Sequence, residues 1–211
     1  MMQLTWKRLS LIGLLALGTA CAPDSDTVLD APSQNPSEGL AAQHAANLAA
    51  IEALRAESEA SYDGLMSAWQ ARTSGARPML SSSSDGTMYV ACQPLPFDGE
   101  AQIVGAAGGT FEFGPHRLTV PAGAVTGPIS IAVIVTTSLK TEVVLLPHGT
   151  QFATPVSLDL AYGHCEDAPT HRVAYVDAQD NVIEWTTSFD HPDLLRITAE
   201  LSHFSTYAIA Y

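Results

Sequence analysis

From Met88 to Tyr211 the chain alternates apolar and polar residues with a period of two, and turn-forming residues interrupt it every eight to twelve positions. A period of two puts every second side chain on one face, which calls for strands with a buried side rather than helices. Ile129-Ser-Ile-Ala-Val-Ile-Val135 is rich in β-branched residues, with Ile129, Ile131, Val133 and Val135 set against smaller partners. Val156-Ser-Leu-Asp-Leu-Ala-Tyr162 alternates cleanly. Arg172–Asp177 and Val182–Trp185 flank Ala178-Gln-Asp-Asn181, a hairpin signal. Leu194–Leu201 and Tyr207–Tyr211 complete the set. No helical pattern alternates with these strands, so a doubly wound α/β fold is excluded. The expectation is an all-β chain, an antiparallel β-sandwich over residues 88–211.

The residues before it change character four times. Lys7 and Arg8 precede an apolar run, Leu9 to Leu17, then the small residues Gly18, Thr19 and Ala20, then Cys21. This pattern predicts a secretory signal over residues 1–20, too short in its apolar part to span a bilayer. Leu17-Gly-Thr-Ala-Cys21 resembles a lipobox, with Gly18 where the motif prefers Leu. The resemblance makes Cys21 the lipid-bearing first residue, held in the membrane by several acyl chains. Residue 22 is Ala rather than Asp, which favours the outer membrane or cell surface. Residues 21–36, polar with three prolines, read as a disordered tether. Residues 37–72 are dominated by helix formers and predict one amphipathic helix with Ser37 as N-cap. Its apolar stripe, Leu48, Ile51, Leu54, Tyr62, Leu65 and Trp69, is interrupted by Arg55 and Ser58, so a coiled coil is not expected. The helix either packs on the domain or stands as a stalk, with helix-mediated self-association as the sharper alternative. Residues 73–87, with four consecutive serines, form a linker.

Net charge narrows the partners. The formal charge is −13. Without Lys7 and Arg8, seven basic residues face 22 acidic ones, a balance of −15. Such a chain repels phosphate backbones, and no nucleic-acid partner is expected. Of three cysteines, Cys21 serves the anchor. Cys92 and Cys165 remain as an even pair in an oxidising compartment, each at the end of a strand-like run. They read as a disulfide, the alternative being two buried thiols. A metal site from Cys165 with His164, Glu166, Asp167 or His171 lacks any recognised ligand spacing, and neither metal nor cofactor is expected.

Three segments together resemble the ZU-five type β-sandwich domain of ankyrins and netrin receptors and its bacterial relatives. They are Gly108-Gly-Thr-Phe-Glu-Phe113 with Leu118-Thr-Val-Pro-Ala-Gly-Ala-Val125, Leu146-Pro-His-Gly-Thr-Gln-Phe152 with Pro155-Val-Ser-Leu158, and Leu201-Ser-His-Phe-Ser-Thr-Tyr-Ala208. The resemblance covers about residues 103–211. It implies an interaction and scaffold module that binds partner proteins or packs against neighbouring domains. Local chemistry agrees with it: Gly108 admits a positive-φ turn, and Pro121 with Gly123, then Pro147 with Gly149, end strands at tight turns.

Signatures of catalysis are missing: there is no Gly-x-Ser-x-Gly, His-Glu-x-x-His, P-loop or dinucleotide fingerprint. His203-Phe204-Ser205 resembles the self-cleaving site of some eukaryotic relatives, where the Ser hydroxyl attacks the preceding carbonyl and the His takes its proton. The simpler reading gives Phe204 to the core and His203 to a loop. Trp69 and Trp185 are expected to pack rather than to form a sugar platform. The chain therefore reads as a lipid-anchored, non-enzymatic envelope protein offering a sandwich to an envelope protein. A sandwich that binds a glycan or another ligand, and a self-cleaving domain, are its rivals.

Overall fold

The computed structural model describes residues 36–75 and 89–211. The expected signal, Cys21, the tether as far as residue 35, and most of the Ser-rich linker lie outside the described residues. One helix, α1 (Pro36–Thr73), precedes eleven strands in the described residues. These are β1 (Asp98–Val104), β2 (Gly109–Phe113), β3 (His116–Val120), β4 (Ile129–Val135), β5 (Glu142–Leu146) and β6 (Gln151–Ala161). There follow β7 (Arg172–Val176), β8 (Val182–Trp185), β9 (Thr187–His191), β10 (Arg196–His203) and β11 (Thr206–Ala210). A six-stranded sheet runs β1-β4-β5-β11-β7-β8, and a five-stranded sheet runs β2-β3-β6-β10-β9. Every pairing is antiparallel. The expected sandwich is the fold.

Alternation decides which side chains meet. Phe111, Phe113, Leu118 and Val120 of β2 and β3, and Val156, Leu158 and Leu160 of β6, face Ile131, Val133, Val143, Leu145, Tyr207 and Ile209 of the other sheet. These side chains fill the space between the sheets. Gly108 shows why the turn before β2 needs glycine. Its φ is +75°, and a Cβ there would lie 2.1 Å from the Val120 carbonyl oxygen. The hairpin expected at Ala178–Asn181 joins β7 to β8. Asp177 Oδ1 accepts the N–H groups of Gln179 (2.9 Å) and Asn181 (2.8 Å).

Two strands are buried on both faces. In β4, Ile131, Val133 and Val135 enter the main core, while Ala132 and Ile134 pack outward against Ile51 of the helix. In β11, Tyr207 and Ile209 point inward, and Ala208 and Ala210 form an outer cluster with Tyr89 and Ala174. Near-continuous apolar runs mark such doubly covered strands.

The structure resolves the two readings of the helix in favour of docking. Helix and sheets belong to one compact unit spanning Gln34–Tyr211. The helix begins at Pro36, so Ser37 lies inside its first turn rather than capping it. From about Gln43 to Ser58 it lies on the outer face of β1 and β4. The docked stripe is Gln43, Asn47, Ile51, Leu54 and Ser58, and three of these five are polar. Gln43 Oε1 accepts the Ser130 N–H (2.8 Å), Asn47 Nδ2 donates to the Ser130 carbonyl (3.1 Å), and Ser58 Oγ accepts the Thr137 N–H (3.2 Å). Arg55 lies over the Phe97 ring at 4.6 Å. Arg55 and Ser58, which interrupt the apolar stripe in sequence, are thus part of the contact. Leu48, expected on the stripe, is 45% exposed.

The sequence missed two strands. The apolar face of β1 is only Gly99, Ala101 and Ile103, and β9 carries Asp190 and His191, so both give weak strand signals. The strand expected from Leu194 begins at Arg196 instead. Pro192–Leu194 form a 3-10 turn, because proline cannot continue the ladder.

Candidate functional site

β8 and β9 are consecutive in the chain and form the adjacent free edges of the two sheets. Thr186 alone separates them. Its N–H (3.0 Å) and its hydroxyl (2.9 Å) both donate to the Val173 carbonyl, fixing the crossover. Between the two edges opens a cleft of about 220 Å³. Strand register explains its lining. Val143, Tyr207, Tyr175 and Glu184 lie side by side across β5, β11, β7 and β8. The row passes from aliphatic to aromatic to carboxylate as it leaves the core. From the opposite sheet, β10 contributes Glu200 and His203 to the cleft.

The aromatic groups are tightly arranged. Tyr175 stands edge-on to His203 at 5.3 Å between centroids, and Tyr207 lies 6.2 Å from each. The Tyr207 hydroxyl donates to the His203 carbonyl (2.7 Å). Burial first, then Glu184 and Tyr175, push the Tyr207 phenol above its usual range. Glu184 Oε2 lies 3.9 Å from His203 Nε2. Trp185 also borders this cleft, but its ring is engaged elsewhere. Its ring packs on the outer side of the sheet with Ala174 and Val182, and Arg172 covers it at 4.0 Å.

His203-Phe204-Ser205 leads from the cleft, which His203 lines, into the core, and much of its backbone is hydrogen-bonded. Phe204 N–H donates to Thr150 (2.9 Å), the Phe204 carbonyl accepts from Gly149 N–H (2.8 Å), and the Ser205 carbonyl accepts from Leu145 N–H (3.0 Å). Phe204 is fully buried, edge-on to Phe152 at 4.7 Å. The Gly149 N–H thus stands where an oxyanion donor for that carbonyl would be needed, a placement the sequence does not reveal. The His203 ring, however, is directed elsewhere. Its Nδ1 lies 3.4 Å from the Phe204 carbonyl oxygen and 3.4 Å from the Tyr207 hydroxyl. Among the described residues it makes no hydrogen bond to Ser205 Oγ, and no residue of the tripeptide has positive φ.

A second constellation surrounds the cysteines. Cys92 and Cys165 face each other as an antiparallel bridge, with sulfurs 2.10 Å apart and Cα atoms 3.8 Å apart. Thr141 Oγ1 lies 3.3 Å from Cys92 Sγ, 3.2 Å from Cys165 Sγ and 3.4 Å from His164 Nε2. The two sulfurs and a ring nitrogen of His164 all fall within 4.8 Å of one another. Of the residues weighed beside Cys165, only His164 joins it. Glu166 forms a two-pronged ion pair with Arg72 of α1, at 2.8 and 2.7 Å. Asp167 is exposed. His171 stacks on Tyr162 at 4.0 Å, and Asp190 binds both of them. Burial, then the bond to Asp190, push the Tyr162 hydroxyl up to about 12.

His116, at the start of β3, flanks the sulfur cluster. Its ring centroid lies 6.4 Å from that of His164. Its Nδ1 accepts the Ala161 N–H (3.1 Å), so its Nε2 carries the proton. That Nε2–H is buried with no hydrogen-bond partner among the described residues. Burial, then His164 and Arg196, push the imidazole down to about 3. Nothing in the spacing from His116 to Cys165 announces this proximity; the β3–β6 pairing creates it.

A larger cleft of about 380 Å³ lies between α1 and the turn joining β7 to β8. Its lysine, Lys140, is already neutralised by Glu142 and Asp180. No family model matches the chain, and no curated protein matches it. No helix of the described residues is long and apolar enough to cross a membrane.

Proposed function

We propose that this protein is a lipid-anchored envelope protein whose sandwich is an interaction module of ZU-five type, acting by binding rather than by catalysis. Its partner is an envelope protein, and the cleft between β8 and β9 receives a basic side chain from it. The observation that carries this reading is the lining of that cleft. Glu184 and Glu200 supply negative charge beside the ring of Tyr175, which is partly exposed while Tyr207 is buried behind it. Carboxylates next to aromatic faces suit a lysine or arginine, by ion pairing and by cation–π attraction. The volume of about 220 Å³ is below the roughly 300–1,000 Å³ of ordinary small-molecule pockets, and fits a single inserted side chain better than a whole ligand. The net charge of −13 adds long-range attraction for a basic partner.

The arrangement argues against the rivals. A glycan platform needs an open aromatic face, and Arg172 occupies that of Trp185. Self-cleavage needs His203 on the Ser205 hydroxyl, and the ring engages the Phe204 carbonyl and Tyr207 instead. Affinity capture with the lipidated full-length protein from native membranes tests the proposal, run beside the double variant Glu184→Gln, Glu200→Gln. The partner should stay with the wild type and leave with the double variant or at raised salt. A partner held equally by both would move the binding surface away from this cleft.

A further inference from the structure

We infer that, once Cys92 and Cys165 are reduced, these residues and His164 form a binding site for a thiophilic d10 cation, with Cu(I) the best match. Two thiolates and an imidazole are a donor set that selects soft or borderline cations over calcium or magnesium. The donor atoms already lie within 4.8 Å of one another. Bonds of about 2.3 Å to sulfur and 2.0–2.1 Å to nitrogen require the two sulfurs, 2.10 Å apart in the disulfide, to swing apart to about 4 Å by side-chain rotation after reduction, with the His164 nitrogen already within reach. Three N/S donors satisfy Cu(I), whereas Zn(II) asks for a fourth.

The cluster does not depend on the sulfur–sulfur bond for its assembly. Gln93 N–H donates to the His164 carbonyl (2.8 Å), and Glu166 N–H donates to the Ala91 carbonyl (2.7 Å), one on each side of the cysteine pair. Cys92 N–H donates to Leu139 (2.8 Å) and Cys165 N–H to Tyr162 (2.9 Å). Arg72 clamps Glu166 from the helix. These bonds keep the two thiols side by side after reduction.

A second observation points to a missing group. His116 is 1% exposed, its ring lies 6.4 Å from that of His164, and its Nε2–H has no acceptor among the described residues. A buried donor left unpaired is destabilising, so it is kept where something else completes it. Thiolates holding a cation would bring a negatively charged acceptor to this corner of the core, as the outer layer around a metal does.

The chemistry balances. A dithiol reductant gives two electrons and two protons to the Cys92–Cys165 bond and leaves as its own disulfide. Both thiol protons pass to solvent when the cation binds. The oxidised pair has no thiolate to offer, so the site exists only in the reduced state.

The test uses the full-length protein, oxidised or reduced with a phosphine under anaerobic conditions, and titrated with Cu(I) against a chromophoric chelator. The reduced protein should take up a single Cu(I) per chain and the oxidised protein none. His116→Phe should weaken binding roughly 10–100-fold, the range for an outer-layer partner, and His164→Ala should weaken it further. Reduced, folded protein that leaves all Cu(I) with the chelator would overturn the inference. So would equal affinity in His164→Ala, which would mark an unspecific dithiol. Should reduction loosen the fold, the melting temperature of reduced protein is compared with and without Cu(I). A rise supports the site, and no change refutes it.

Discussion

His116 is the residue whose chemistry is most exposed to solution conditions. Its folded pKa of about 3 lies far below the unfolded value near 6.5. Between those values the unfolded chain binds a proton that the folded chain refuses. Its contribution to stability is therefore present above pH 6.5 and is lost as pH falls toward 3. At about 1.4 kcal/mol per pH unit, acidification from 6.5 to 5 removes about 2 kcal/mol. His116→Asn keeps an acceptor for the Ala161 N–H but does not titrate. Urea midpoints at pH 7 and pH 5 should fall further in the wild type than in the variant, and parallel losses would reject the assignment. The cysteines act on the unfolded chain instead. Their bond closes a loop with a sequence separation of 73, worth about 4 kcal/mol in the entropy model. Cys92→Ala with Cys165→Ala should lower the unfolding free energy by a few kcal/mol, read from denaturant titration. Ser205 carries the opposite expectation. A denaturing mass measurement should find the chain intact at Phe204–Ser205, and a shortened chain restored to full mass by Ser205→Ala would reinstate self-cleavage. These residues differ in how far sequence revealed them. The cysteine pair was legible because Cys92 and Cys165 each close a strand-like run. The His116–His164 proximity was not, because it depends on strand order, which local pattern does not encode.

At the scale of elements, α1 shows how a polar residue can belong to an interface. Period-two alternation made most of the strands legible, and helix-former composition located the helix to within a residue of its observed ends. Its docking was hidden because the stripe was sought among apolar side chains alone. Asn47 and Ser58 are each 5% exposed. They are tolerated there because they bond to the Ser130 carbonyl of β4 and the Thr137 N–H just beyond its end. A signal was nonetheless present in Ile129–Val135, whose unbroken apolar run asks for cover on both faces. Ile51 supplies that cover, packed on Ala132 and Ile134. Ile51→Ala should cost about 2–5 kcal/mol, as for other buried aliphatic truncations. Chemical denaturation of the full chain would measure it, and a loss under about 0.5 kcal/mol, ordinary for surface sites, would mean that the helix rests loosely on the sheet. The cleft was legible only in part. His203 drew attention through its tripeptide, but Glu184 reaches the cleft through its pairing with Tyr175, and register of that kind emerges only when β7 and β8 are laid side by side.

At the scale of the whole molecule, the question is whether the sandwich is separable from what precedes it. Composition draws a boundary at the Ser-rich stretch, and on that basis residues 88–211 should fold alone, with the helix dispensable. The compact unit instead begins at Gln34 and includes α1. Removing the helix would uncover Ala132 and Ile134 together with the partly buried Phe97, Val144 and Leu146. It would also leave the Ser130 and Thr137 N–H groups without Gln43 Oε1 and Ser58 Oγ. An apolar strip beside β1, an edge strand, is a surface on which chains associate. The sandwich core itself would persist, since the cluster between the sheets contains no helix residue. The expected outcome for a fragment from residue 88 is thus neither independence nor collapse. It should keep its β-sheet circular dichroism, unfold at lower denaturant than the full chain, and self-associate in analytical ultracentrifugation. Adding a peptide of residues 34–75 in trans should restore the monomer. A fragment that is monomeric and as stable as the full chain would show the helix to be an appendage, and would return to it the role of a stalk between a lipid-bearing Cys21 and the interaction module.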